Sequence, residues 1–165
     1  PPFMSEADAL NHGVKWIEQV AERSDEISVN PMNIQRGTII DRLHRNNEYR
    51  PPWLWSLVEM IRRAHPTIHP KGGKNGDDDQ VCRLIIHPTA GGKIRGAHNC
   101  GSCDSVVVAA IERYAVSGEL EEFEGLSCEC EKAWKEEVLL EQALPVPLGI
   151  SKHRRGNVLD RLRSP

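Results

Sequence analysis

No apolar run in these 165 residues approaches the roughly 18 needed to span a bilayer, so no membrane partner is expected. No secretory leader is expected either. Pro1, Pro2 and Phe3 precede Met4, which reads as a cloning remnant ahead of the natural start, residues 1–4. Catalytic signatures are equally scarce. Neither Gly-x-Ser-x-Gly nor His-Glu-x-x-His occurs, and no paired-carboxylate arrangement stands out. Lys74 and Lys93 each follow a glycine, but Asn75 and Ile94 stand where a phosphate loop needs Ser or Thr. Asp77, Asp78 and Asp79 lack the spacing of a calcium loop. There is no His-x-Glu, and Asn99 rather than proline precedes Cys100, which removes the zinc deaminase arrangement. No catalytic residue is assigned.

What the chain does have is cysteine in pairs. Five cysteines without a leader argue for a reducing, cytoplasmic compartment, where clustered thiols bind metal more often than they form disulfides. Cys100 and Cys103 form a CxxC pair, and Cys128 and Cys130 form a CxC pair after 24 intervening residues. Zinc takes four thiolates in a tetrahedron at about 2.3 Å, and the residues around the first pair, Asn99, Gly101 and Ser102, suit the tight turn required. Asp104 is expected to cap the following helix. Val107, Ala110, Ile111 and Tyr114 would be its apolar face and Gly118 its stop. The second pair also opens a helix, with Ala133, Trp134, Val138, Leu140 and Leu144 downstream and Pro145 as terminator. Both pairs thus sit at positive helix ends, which favours the thiolate.

Chain length permits closure. A helix of about 15 residues travels roughly 22 Å, and the ten steps from Gly118 to Cys128 reach up to about 34 Å. His98 is the substitute ligand should one thiol not take part, and Cys82 is assigned to core packing. Buried reduced thiols, an iron–sulfur cluster or a redox disulfide are the alternatives to zinc. Four thiolates on one ion leave no open coordination position, so the site reads as structural and argues against an enzyme.

The expected fold is mainly α with a small β-hairpin, a zinc-stabilised α+β small domain. Residues 5–65 form an N-terminal helical part. Ser5 caps a first helix with Leu10, Val14, Ile17, Val20 and Ala21 on one face. Asn30-Pro31 starts a second helix burying Met32, Ile39, Ile40 and Leu43. Pro51-Pro52 opens a third helix with Trp53, Leu54, Leu57, Val58 and Ile61 inward, stopped at His65-Pro66. The last two could make a helix-turn-helix, although an ordinary helical hairpin is the simpler arrangement. Residues 66–80 read as a loop. Residues 81–145 are the zinc-held part, its hairpin pairing Val81–His87 with Lys93–Ala97. Residues 146–165 are a basic tail.

Charge is segregated beneath a net of −3. From Glu119 to Gln142 nine Glu face Lys132 and Lys135. Six Arg between Ile34 and Arg63 face Asp41, Glu48 and Glu59, and the tail carries five cations against Asp160. Single runs of this kind are usually solvated surface. Two basic stretches around an acidic helix nevertheless suit a polyanion. Arg36, Arg42 and Arg45, with Lys152, Arg154, Arg155, Arg161 and Arg163, are therefore the nucleic-acid-binding candidates. The resulting expectation is a zinc-stabilised regulatory protein that binds DNA or RNA, or a nucleic-acid machine such as the transcription apparatus. The alternative is a protein–protein adaptor or inhibitor acting through the acidic helix. A metal-dependent nuclease ranks third, kept alive by His65, His69, His87 and His98.

Overall fold

The computed structural model describes residues 4–69 and 82–144. Among them are five α-helices and a two-stranded parallel sheet. Helix α1, Glu6–Ala21, starts where Ser5 Oγ accepts from the Asp8 amide at 2.9 Å. It buries Ala7, Leu10, Ile17 and Ala21, the spacing of one helical face. Helix α3, Leu54–Ile68, packs along it and buries Leu54, Trp55, Leu57, Val58, Ile61, Ala64 and Ile68. At Gly13 a Cβ would strike the Met60 side chain, so the two helices meet closely there.

Two helix boundaries differ from the sequence expectation. The second helix, α2, is Ile39–Arg45 and does not begin at Pro31. Gly37 adopts φ +78°, which breaks any helix before it, and Thr38 Oγ1 then caps the new start by accepting from the Asp41 amide at 3.2 Å. Its expected buried face is only partly covered: Ile39 is 75% exposed and Met32 lies outside the helix and is exposed, Ile40 and Leu43 are half-buried, and Asp41 is the buried residue of α2. Helix α3 runs through Pro66 instead of stopping there. Ile68 continues the buried stripe of Ile61 and Ala64, so burial carries the helix one turn past Pro66 although the proline has no N–H to bond the preceding turn.

The hairpin does not form. Strand β2, Arg83–Ile86, pairs in parallel with β1, Glu26–Val29, with Ile27 opposite Leu84 and Val29 opposite Ile86. A parallel pair needs a long crossover, and residues 30–82 with α2 and α3 provide it. The segment expected to return as a strand instead folds on itself. Lys93 N–H donates to Ala90 O at 3.1 Å, Gly96 N–H to Lys93 O at 2.9 Å and Gly92 N–H to Ala97 O at 2.8 Å. Lys93 and Gly96 thus spend their amides on turns within the segment, and β2 pairs only with β1 among the described residues.

Helices α4, Asp104–Ser117, and α5, Glu129–Ala143, follow the two cysteine pairs, with a 3₁₀ turn at Leu120–Phe123 between them. The face of α4 is the one expected, Val107, Ala110, Ile111 and Tyr114, and Gly118 ends it at φ +75°. On α5 only Trp134, Val138 and Glu141 are buried, whereas Leu140 and Leu144 face outward. One continuous core joins α1, α3, β2, α4 and α5. Buried carboxylates also cap neighbouring helices. Glu6 of α1 accepts from the Trp53 amide (3.1 Å) and Ser56 Oγ (2.6 Å) at the start of α3, and Glu141 of α5 accepts from the Ala7 amide (2.9 Å) at the start of α1.

Candidate metal centre

The four paired cysteines converge. Cys103 is the N-cap of α4, Cys128 is the N-cap of α5, and Cys130 lies in the first turn of α5. Sulfur–sulfur distances are 3.9 Å for Cys100–Cys103, 3.7 Å for Cys100–Cys128 and 3.6 Å for Cys103–Cys130, and all four atoms lie within 4.8 Å of one another. A disulfide would need about 2.05 Å. Four sulfurs at about 2.3 Å from a common centre stand about 3.8 Å apart, so the observed edges match a thiolate tetrahedron. The donor set, all sulfur, suits a borderline or soft ion such as zinc. Four close cysteines could therefore hold a metal ion.

The shell around the sulfurs is built from elements already described. Trp55 Nε1–H of α3 donates to Cys130 Sγ at 3.2 Å, and Asn99 Nδ2–H donates to Cys103 Sγ at 3.4 Å. Asn99 is itself buried and accepts from the Trp55 amide at 3.3 Å, which locks the turn against α3. Asp104 does not act as the expected helix cap. It is the first residue of α4, and its Oδ1 accepts from the amides of Asn99 (3.0 Å) and Gly101 (3.2 Å), fixing the CxxC turn. Gly101 holds φ +92°, a backbone state that glycine reaches without strain.

Electrostatics divide the thiols. The Cys103 amide beside Cys100 brings that thiol down to about 6, well into the thiolate range at neutral pH. Burial pushes Cys103 and Cys130 up, opposed by the Asn99 donor and the Trp55 donor respectively. Sulfurs packed this closely cannot all be anionic without a cation among them, and a dication offsets that repulsion.

Other sequence candidates fall elsewhere. His98 is outside the cluster, its Nδ1 lying 2.9 Å from Gly96 O. Cys82 is buried in the core beside β2, as its packing assignment anticipated. His65 and His69 stack at 4.5 Å, with His65 Nδ1 3.3 Å from Tyr114 Oη, and His87 is exposed. No histidine joins a metal-holding group among the described residues. Arg36, Arg42 and Arg45 are all exposed, and Arg45 pairs with Asp41 at 3.4 Å. Lys152, Arg154, Arg155, Arg161 and Arg163, like Pro145 and the aspartates 77–79, lie outside the described residues. Sequence reasoning missed Trp55 and Asp104 as supports of the cysteines. An indole and a carboxylate carry no signal in spacing that would mark either as a partner of sulfur.

Fold and site together define a mainly helical protein organised on a four-cysteine cluster. Its relatives are specific. The chain is 33% identical over 141 residues to the archaeosine synthase subunit beta of Methanosarcina acetivorans, covering 86% of this chain and 38% of that protein. It is 34% identical over 136 residues to the archaeosine synthase subunit beta of Thermococcus kodakarensis, 82% of this chain and 39% of that one. An uncharacterized protein of Methanocaldococcus jannaschii is 28% identical over 153 residues, 90% and 38% of the two chains. The chain thus spans about two fifths of the length of the curated relatives it matches. No family model and no solved structure matches it. Among the described residues no helix is long and apolar enough to cross a membrane.

Proposed function

We propose that this chain is a zinc-stabilised, RNA-facing part of an archaeosine-forming, RNA-modifying assembly. What supports the reading is a sulfur tetrahedron lying within a chain that resembles two archaeosine synthase beta subunits over more than four fifths of its length. Cys100, Cys103, Cys128 and Cys130 hold the ion, and zinc supplies structural cross-linking there. With every position taken by thiolate the ion has no place for a reacting water, so this part of the protein binds and positions rather than catalyses. Arg36, Arg42 and Arg45 supply phosphate contacts, as do the tail cations Lys152, Arg154, Arg155, Arg161 and Arg163. The relatives' names favour an RNA-modifying machine over the transcription apparatus.

The test has two parts. Elemental analysis of purified protein should return one zinc per chain. Fluorescence titration with transfer RNA at two salt concentrations should show tight binding that weakens steeply with salt, and a DNA duplex should bind less well. Salt-insensitive or absent RNA binding refutes the RNA-facing role, and absence of metal refutes the scaffold.

A second reading rests on α5. Leu139, Leu140 and Leu144 are 64%, 41% and 62% exposed on a helix rich in glutamate. That face suits docking to another protein chain, and a binding partner that survives nuclease treatment would favour it.

A further inference from the structure

We infer that α2 and the loop 88–98 form a single face that grips an RNA strand, cations on phosphates and two isoleucines on bases. The inference rests on the RNA reading above and extends it to a loop whose residue spacing carries no binding signal. The two segments are joined by backbone and side chain together. Ile34 N–H donates to Arg95 O at 2.8 Å, and Arg95 Nε–H returns a bond to Ile34 O at 3.1 Å. Asp41 of α2 then receives Arg95 at 2.6 Å and Arg45 at 3.4 Å, so one carboxylate aligns two guanidinium groups from different segments.

The charge on this joint has one sign. Residues 32–46 and 88–98 carry Arg36, Arg42, Arg45, Lys93 and Arg95 against Asp41 alone. Because Asp41 is buried and already engaged, the outward charge is cationic. That complements a polyanion and opposes a basic protein partner. Ile39 and Ile94 are 75% and 70% exposed, two residues from Asp41 and one from Arg95 respectively. Apolar side chains flanked by phosphate-binding cations offer surface to an unstacked base, as the apolar walls around a flipped-out base do.

The loop is also prepared for binding. Its successive turns close on themselves, and a Cβ at Gly96 would collide with the Ala90 carbonyl, so the shape depends on glycine there. At its far end the buried Asn99 and the cysteine cluster anchor it. A loop already fixed in place loses little conformational entropy on binding.

The experiment uses the full chain and transfer RNA. The combined variant Arg36→Gln, Arg42→Gln and Lys93→Gln removes three exposed cations. It should weaken binding at least tenfold and make the dependence of log K on log salt shallower by about 2, at roughly 0.7–0.9 per phosphate contact. Ile39→Ser with Ile94→Ser should weaken binding while leaving that slope unchanged. Far-UV ellipticity and metal content should match wild type in both, since all five side chains are exposed. Wild-type binding that neither variant alters overturns the inference and the phosphate role of Arg36 and Arg42, and leaves a chain that binds RNA through other cations. A wild-type chain that does not bind RNA refutes the RNA reading itself. Isoleucine variants that bind RNA normally would remove the base contacts and assign that pair to a protein neighbour.

Discussion

With zinc held by the four cysteines as proposed, stripping the metal should release α5 before anything else. This helix has fifteen residues, yet Trp134 and Val138 are its only buried apolar side chains. Burying two such groups is worth about 3–6 kcal/mol. Hydrogen bonds also tie it to α1 and α3: Glu141 accepts from the Ala7 amide, Glu137 from Trp53 Nε1–H at 3.0 Å and Cys130 Sγ from Trp55 Nε1–H at 3.2 Å, while Trp134 Nε1–H donates to Ser56 Oγ at 2.9 Å. A structural zinc on thiolates contributes about 10–16 kcal/mol at neutral pH, more than the helix's own packing and comparable with the whole stability of an ordinary domain, about 5–15 kcal/mol. Treatment with a strong chelator at neutral pH should therefore remove up to fifteen residues' worth of helical ellipticity. The emission of Trp134 and Trp55 should shift to the red as both lose their buried surroundings. The unfolding midpoint should fall by something on the order of tens of degrees, and re-addition of zinc should restore all three signals. A chelated protein with unchanged ellipticity, emission and midpoint would refute the reasoning, because α5 would then be held by contacts other than the ion.

Trp55→Phe keeps the aromatic packing but deletes the indole donor to Cys130, and metal affinity should drop about 10–100-fold in competition with a chromophoric chelator. Glu6→Ala leaves the Trp53 amide and Ser56 hydroxyl without their acceptor at the start of α3. At about 1–3 kcal/mol per orphaned group, urea unfolding should show a loss of about 2–6 kcal/mol, and Glu6→Gln a smaller one. The Arg95 guanidinium, followed by the Gly37 amide, holds the Asp41 carboxyl below its ordinary range. A carboxyl lowered in the folded state stabilises above its unfolded value, about 3.9, and that contribution is lost as pH falls through the lower folded value. Asp41→Asn should accordingly be less stable than wild type at neutral pH and should lose less stability on acidification below about pH 4.

Most helices and the pairing of the cysteines were legible in the residue pattern alone. Ser5, Gly118 and the apolar repeats of α1, α3 and α4 act over three or four residues, so the helices they specify are written in neighbouring positions. The CxxC and CxC pairs at two helix starts were legible for the same reason, because a short turn sets which sulfurs share a direction. That the sulfurs stand 3.6–3.9 Å apart along the measured edges was not legible there, since it depends on how α4, the 3₁₀ turn and α5 pack on α3. The tertiary structure alone selected β1 as the partner of β2. A strand's free N–H and C=O groups accept any neighbour the fold delivers, and residues 30–82 delivered β1 instead of a hairpin. It also turned Glu6, Glu141 and Asp41 from apparent surface acids into buried anchors. A carboxylate's role depends on which helix end or guanidinium is brought beside it, and those partners lie 47 to 134 residues away.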